Sequence, residues 1–308
     1  MKHFAQQGAA RALPEGIAEP RESLLPSIGE TTSRGEKVMI NIKETRMAAN
    51  STAALAYDAF MGRWSKVVAR YFLAWLSVPP HSRWLDVGCG TGALASAILQ
   101  SASPSEVSGI DPSEEYIAYA RALLPRDRCR LLVADAQAMP HEFSDFDATV
   151  SGLALNLVPE PIAGLAEMVR VTRPDGLVAA YVWDFAGGMQ LLRYLWDVAT
   201  RLDPTAEELD QGKCFPICHP DRLRVLFTEA GLRAVEIRPL EVPTIFRDFD
   251  DYWMPLLTGH GRAPGYVTSL TADKRARLQE SIQEVLPMHS DGSIHLTAQA
   301  WAVRGTKS

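Results

Sequence analysis

Trp84-Leu85-Asp86-Val87-Gly88-Cys89-Gly90-Thr91-Gly92 is the stretch whose reading decides the fold. Arg83 to Val87 is a short, largely apolar run of the kind that fills a buried parallel sheet. Three glycines follow at alternate positions, and Ala93 to Gln100 then carries a helical spacing of Leu94, Ala97 and Ile98. Strand, glycine turn and helix make the unit with which doubly wound folds cradle phosphates or nucleosides. Glycine serves there because the backbone turns tightly and a ligand meets main-chain N–H groups with no Cβ in the way. The spacing G-x-G-x-G differs from the G-x-G-x-x-G of dinucleotide binders. Asp86 stands at the carboxyl end of the strand, just before the first glycine.

Asp86-x-Gly88-x-Gly90-x-Gly92 resembles the first motif of class I S-adenosylmethionine (SAM)-dependent methyltransferases, in their small-molecule branch. In that family the loop wraps the methionine part of SAM, whose ammonium needs a nearby acid. The resemblance makes Asp86, Gly88, Cys89, Gly90, Thr91 and Gly92 cofactor-binding residues. The second strand, Glu106 to Asp111, ends on an acid about twenty residues beyond the loop, where a carboxylate accepts both ribose hydroxyls of a nucleoside. Asp111 fits SAM and NAD enzymes alike. Asp111-Pro112-Ser113-Glu114-Glu115 also reads as a helix start, and the two roles are compatible. Cys129 to Ala134 is the third strand, followed by Asp135-Ala136-Gln137, where the family pattern puts an acid near the adenine amino group and an N–H against the ring. A capping role for Asp135 weighs equally.

The fourth strand spans Asp147 to Gly152, and its end, Ser151 to Asn156, is expected to face the reacting methyl group. Pro159 to Val171 reads as a helix, Arg173-Pro174-Asp175-Gly176 as a turn, and Leu177 to Trp183 as the fifth strand. Gly187 to Leu202 is an amphipathic helix. His219 to Ala230 is another, closed by Gly231, ahead of a sixth strand from Ala234 to Val242. Ile294 to Val303 alternates and forms the last strand, which the family inserts antiparallel between the fifth and sixth. The expected fold is α/β: a Rossmann-like, doubly wound, seven-stranded sheet, mostly parallel with an antiparallel last strand.

Two segments lie outside this frame. Ser51 to Val78 reads as a pair of helices with Tyr57, Phe60, Met61 and Trp64 on one face. Core packing accounts for most of that stripe. The run from Tyr57 to Ser65 is nevertheless similar to a segment that closes over the cofactor in some small-molecule methyltransferases, so Tyr57, Arg63 and Trp64 are candidates to reach the SAM carboxylate or the acceptor. The second segment, Arg247 to Pro287, is a long excursion before the last strand, with Phe249, Tyr252 and Trp253, a glycine-rich turn, and a helix from Ala272 to Leu286. A compact domain rarely spends about forty residues on a plain connection. Trp253 and Asn156 are therefore candidates for the acceptor side, with a satellite core as the alternative for the excursion.

Composition narrows the rest. Residues 1–46 are rich in Gly, Pro, Glu, Ser and Arg without a period, and read as a disordered tail before a domain from 47 to 308. A net charge of −6 argues against a nucleic-acid surface. No apolar run of about 18 residues suggests a membrane span, and no signal core is visible. The four scattered cysteines suit free thiols in a cytoplasmic setting. Cys214, Cys218 and His219 supply three of four metal ligands, too few for a metal site to be expected. His141, His260 and Asn156 are placed where a base would be useful, yet none is assigned as catalytic. The expected activity is methyl transfer from SAM to a small-molecule acceptor. A non-catalytic SAM-binding module and an NAD-dependent oxidoreductase are the alternatives. The sequence leaves the acceptor and the oligomeric state open.

Overall fold

A computed structural model of the chain describes residues 61–257 and 261–308. The readings made for residues 1–46, for Tyr57 and for His260 lie outside them. Helix α1 (Arg63–Leu76) precedes β1 (Arg83–Val87), α2 (Ala93–Ser101), β2 (Glu106–Asp111), α3 (Glu114–Leu123), β3 (Cys129–Val133) and β4 (Phe146–Gly152). There follow α4 (Pro161–Val171), β5 (Thr172–Trp183), α5 (Gln190–Leu202), α6 (Gln211–Cys214), α7 (Pro220–Glu229) and β6 (Arg233–Phe246). The chain finishes with α8 (Phe249–Trp253), α9 (Arg262–Ser269), α10 (Ala272–Val285) and β7 (Ile294–Thr306).

The seven strands form one sheet in the order β3-β2-β1-β4-β5-β7-β6. β1, β2, β3, β4 and β5 pair in parallel, and β7 runs antiparallel between β5 and β6. This is the Rossmann-like arrangement expected. Its physical basis lies in the strand sequences. Four of the five residues of β1 are buried, as a central parallel strand requires, whereas β7 alternates, with Ile294, Leu296, Ala298 and Ala300 buried and His295 and Thr297 exposed. The helices pack on the sheet, α3 against β2 and β3, α4 against β4 and β5, and α7 against β6 and β7. Trp84, Tyr181, Phe72 and Trp196 are among the largest side chains sealed in the core.

Several boundaries differ from the sequence expectation. Arg173 to Gly176 is not a turn before β5 but part of it, since Thr172 already pairs with Phe146 and the Asp175 N–H donates to the Lys307 carbonyl at 3.1 Å. The local break survives as a left-handed residue, Asp175 at φ +56°, and a register shift between Phe146 and Ala148. β6 extends to Phe246 despite Pro239 and Pro243. It is an edge strand, where a missing N–H removes no ladder bond. The N-cap of α3 is Ser113, whose hydroxyl accepts from the Tyr116 N–H at 3.2 Å, so Asp111 is released from that duty. None of the helices among the described residues is long and apolar enough to cross a membrane.

Candidate active site

A cavity of about 400 Å³ opens at the carboxyl edge of the parallel strands, where ligands of open α/β sheets bind. Asp86, Gly88, Cys89, Gly90 and Thr91 line it from the end of β1, and Asp111 from the end of β2. The loop is held from below, with the Gly88 and Cys89 N–H groups donating to the Ile110 carbonyl at 2.8 and 2.9 Å. Gly88 has φ +72°, and a Cβ there would collide with the Cβ of Ala154, so only glycine lets the loop close on the end of β4. Gly90 differs. At φ +50° its missing Cβ would meet nothing within 4 Å, because it faces the cavity.

The two acids are placed differently. Asp111 Oδ2 accepts the Gly90 N–H at 2.9 Å and Oδ1 accepts the Ser113 N–H at 2.9 Å. Burial pushes its pKa up, and these two N–H groups draw it partly back. Each oxygen keeps a further lone pair for a ligand. Asp86 is fully buried, and neither carboxylate oxygen has a hydrogen-bond partner of good geometry among the described residues. Burial, with the Asp111 charge adding to it, pushes the Asp86 pKa up to about 7, although the nearby Ala95 N–H acts the other way. An acid so buried and unpaired, lining a cavity, has the chemistry to receive a cationic or N–H-bearing group. Burial also holds the Cys89 thiol well above its ordinary range, so it is an inert wall.

Apart from the end of β4 up to Asn156, which the sequence pointed to, the rest of the lining comes from residues that the sequence did not single out. Leu153, Asn156 and Leu157 continue from β4, and Tyr181, Trp183 and Phe185 from β5. Tyr181 and Trp183 alternate on one face of a strand end, a signal the sequence does contain. Met61 and Ser65 contribute from the α1 side, Tyr116 from α3, Gln211 and Phe215 from α6 and its end, and Gly261 to Pro264 from the start of α9. Nothing in the pattern of the short α6 marks it as part of a site.

Other expected residues lie elsewhere. Gly92, Pro112, Asp135, Ala136 and Gln137 are outside the lining. Asp135 Oδ1 accepts the Gln137 N–H at 2.9 Å, the local capping role, and its side chain is exposed. Arg63 is turned away from the cavity. Its guanidinium pairs with Asp251 at 3.2 Å and lies over the rings of Trp64 and Phe246, at 4.3 and 4.9 Å. Trp64 is buried with its edge on Phe246, and Trp253 is buried and stacked on Phe249 at 6.1 Å. Trp64 and Trp253 thus belong to the hydrophobic core, with Arg63 packed over it, and the excursion reaches the cavity through residues 261–264 instead. Asn156 does line the cavity, whereas His141 is exposed and outside it. Among the described residues no group of three or more His, Cys, Asp or Glu is arranged to hold a metal ion.

Residues 85–180 match the model of a methyltransferase domain family. The demethylmenaquinone methyltransferase of Staphylococcus carnosus is 28% identical over 185 residues, 56% of this chain and 77% of that protein. That of Staphylococcus aureus is 34% identical over 105 residues, 33% of this chain and 44% of its own length. The structure of the YcgJ protein from Bacillus subtilis superposes with a TM-score of 0.51 at 17% identity, covering 78% of this chain and 98% of that one. Phosphoethanolamine N-methyltransferase 2 of Haemonchus contortus, solved with S-adenosyl-L-methionine, does so at 0.52 and 15%, covering 83% of this chain and 57% of that one.

Proposed function

We propose that the chain is a class I SAM-dependent methyltransferase, as the match of residues 85–180 to a methyltransferase domain supports, and that it methylates a small, largely apolar organic acceptor. The observation that carries the reading is Asp86: a buried carboxylate without a partner, lining a cavity beside an open glycine loop. The cavity fits SAM on that ground. Bound SAM would supply an electrophilic methyl group on its sulfonium, with S-adenosylhomocysteine as the leaving group.

The chain's own residues provide the setting. Asp86 receives the ammonium, and its pairing there removes the penalty of an unmatched buried charge. Asp111 receives the ribose hydroxyls while holding the Gly90 N–H, so it fixes the loop and the nucleoside together. Leu153, Leu157, Tyr181, Trp183 and Phe185 form a mostly apolar wall at the ends of β4 and β5. That wall supports an apolar acceptor, orients it and keeps water from the reacting atoms. The relatives named demethylmenaquinone methyltransferase support a small organic acceptor as well. The four free cysteines support a cytoplasmic setting.

The test is a methyltransferase assay with methyl-labelled SAM against fractionated small metabolites. Label is expected to move to a low-molecular-weight product. Tight SAM binding with no transfer to any fraction would favour a non-catalytic SAM-binding module, and tight NAD binding in its place would overturn the cofactor assignment.

A further inference from the structure

The charges around the cavity are segregated. Both acids, Asp86 and Asp111, sit at the ends of β1 and β2. Arg262, on the first turn of α9, is the one cationic side chain among the described lining residues. Its guanidinium lies over the Phe215 ring at 5.3 Å, and Nη1 donates to the Cys214 sulfur at 3.4 Å. It has no carboxylate partner among the described residues. Several other arginines are paired with carboxylates, among them Arg63 with Asp251, Arg83 with Glu106, Arg193 with Asp210 and Arg304 with Glu236. The Phe215 ring in turn lies 5.7 Å from Phe185, just past the end of β5. β5 is two strands from β1 in the sheet, a separation of about 10 Å at the usual strand spacing. An unpaired, ring-supported guanidinium on the lip of an apolar cavity is a carboxylate receptor, since its planar fork matches two oxygens.

We propose that the methyl acceptor carries a carboxylate and that Arg262 selects for it, holding the anion at the lip while the apolar body of the acceptor lies along the β5 wall. The inference rests on the methyltransferase reading of the same cavity. One other carboxylate is available to the site, that of SAM itself. The ring contacts that run from Arg262 through Phe215 to Phe185 tie it to the β5 side of the cavity and not to the glycine loop, and on that ground it is assigned to the acceptor.

The experiment uses the full chain loaded with S-adenosylhomocysteine, the demethylated product, and titrated calorimetrically with benzoate and with its neutral isostere benzamide. Wild type should bind benzoate at least tenfold more tightly than benzamide. Arg262→Gln should erase that preference, Arg262→Lys should restore part of it, and all three proteins should bind S-adenosylhomocysteine within twofold of one another. Equal binding of the two probes by wild type, or no binding of either, overturns the proposal. So does a tenfold loss of S-adenosylhomocysteine affinity in Arg262→Gln, which would assign the cation to the cofactor carboxylate. Failure of wild type to bind S-adenosylhomocysteine at all is a separate result, which removes the methyltransferase reading and this inference with it.

Discussion

Asp86→Asn should make the ligand-free protein more stable at alkaline pH while it weakens SAM binding. The folded pKa of Asp86, about 7, lies above its ordinary value of 3.8. Between those values the folded state keeps a proton that the unfolded state gives up. Stability is therefore fully present below about pH 4 and declines as pH rises towards 7. At about 1.36 kcal/mol per pH unit, the interval from 3.8 to about 7 amounts to about 4 kcal/mol. Asparagine carries no charge at any pH, but its buried amide adds unsatisfied donors costing about 1–3 kcal/mol. The variant should thus be about 1–3 kcal/mol more stable than wild type at pH 8, and that advantage should shrink to within about 1 kcal/mol of zero at pH 5, where wild type has lost only about 1.6 kcal/mol. The assay is chemical denaturation of both proteins without ligand across pH 5–8. SAM affinity should fall about ten- to a hundredfold at pH 8, the worth of one charge-assisted hydrogen bond at about 1.5–3 kcal/mol. Wild-type affinity should also weaken as pH drops below 7, whereas that of the variant should change much less. Parallel stability curves for the two proteins would refute the reasoning, because they would mean that Asp86 is not held above its ordinary range.

Gly90→Val should abolish SAM binding by calorimetry at the expense of only about 1–2 kcal/mol of stability, since the side chain meets open cavity but must adopt a left-handed φ of +50°; unchanged affinity would take the loop out of the site. Asp111→Ala should lower SAM affinity at least tenfold, because it removes both a ribose acceptor and the partner of the Gly90 N–H at 2.9 Å; equal affinity in the two proteins would leave Asp111 as loop support alone. Trp253→Ala should destabilise the fold by about 3–5 kcal/mol, as for other large core truncations, without a selective effect on turnover. A specific loss of kcat/KM at unchanged stability would return Trp253 to the acceptor side of the cavity.

The sequence made the glycine loop and the acid at the end of β2 legible because each is encoded within a few neighbouring residues, and the strand order followed from the family that the loop resembles. Gly88, Gly90 and Asp111 had only to be placed in a known unit. Arg63, Trp64 and Trp253 were misplaced because periodicity tells which face of a helix is apolar and not what that face meets. Here it meets Phe246, Phe249 and the Asp251 carboxylate, contacts between segments nearly two hundred residues apart for Arg63 and Asp251. Phe215 and Arg262 were invisible for the opposite reason. Each lies at the end of a short element with no pattern, and only the third dimension sets one ring under the other's guanidinium.

The same geometry explains why the excursion after β6 divides into two parts with different work. β6 and β7 are antiparallel neighbours, so a connection between them starts and finishes at one edge of the sheet, the edge that carries the cavity. Its first part, α8 and the turn after it, sinks Phe249, Tyr252, Trp253 and Leu256 into the core. The Tyr252 hydroxyl donates to the Leu191 carbonyl at 2.8 Å, and Asp251 pairs with Arg63 of α1. That part is tied through Arg63 to α1, whose Ser65 lines the cavity. The second part begins at Gly261, with φ +85°, and brings Arg262, Ala263 and Pro264 to the cavity. A buried anchor followed by a glycine turn is what lets a charged side chain be held at a rim by packing that lies elsewhere. Substitutions in the anchor therefore act on stability, and substitutions at the rim act on what the cavity accepts.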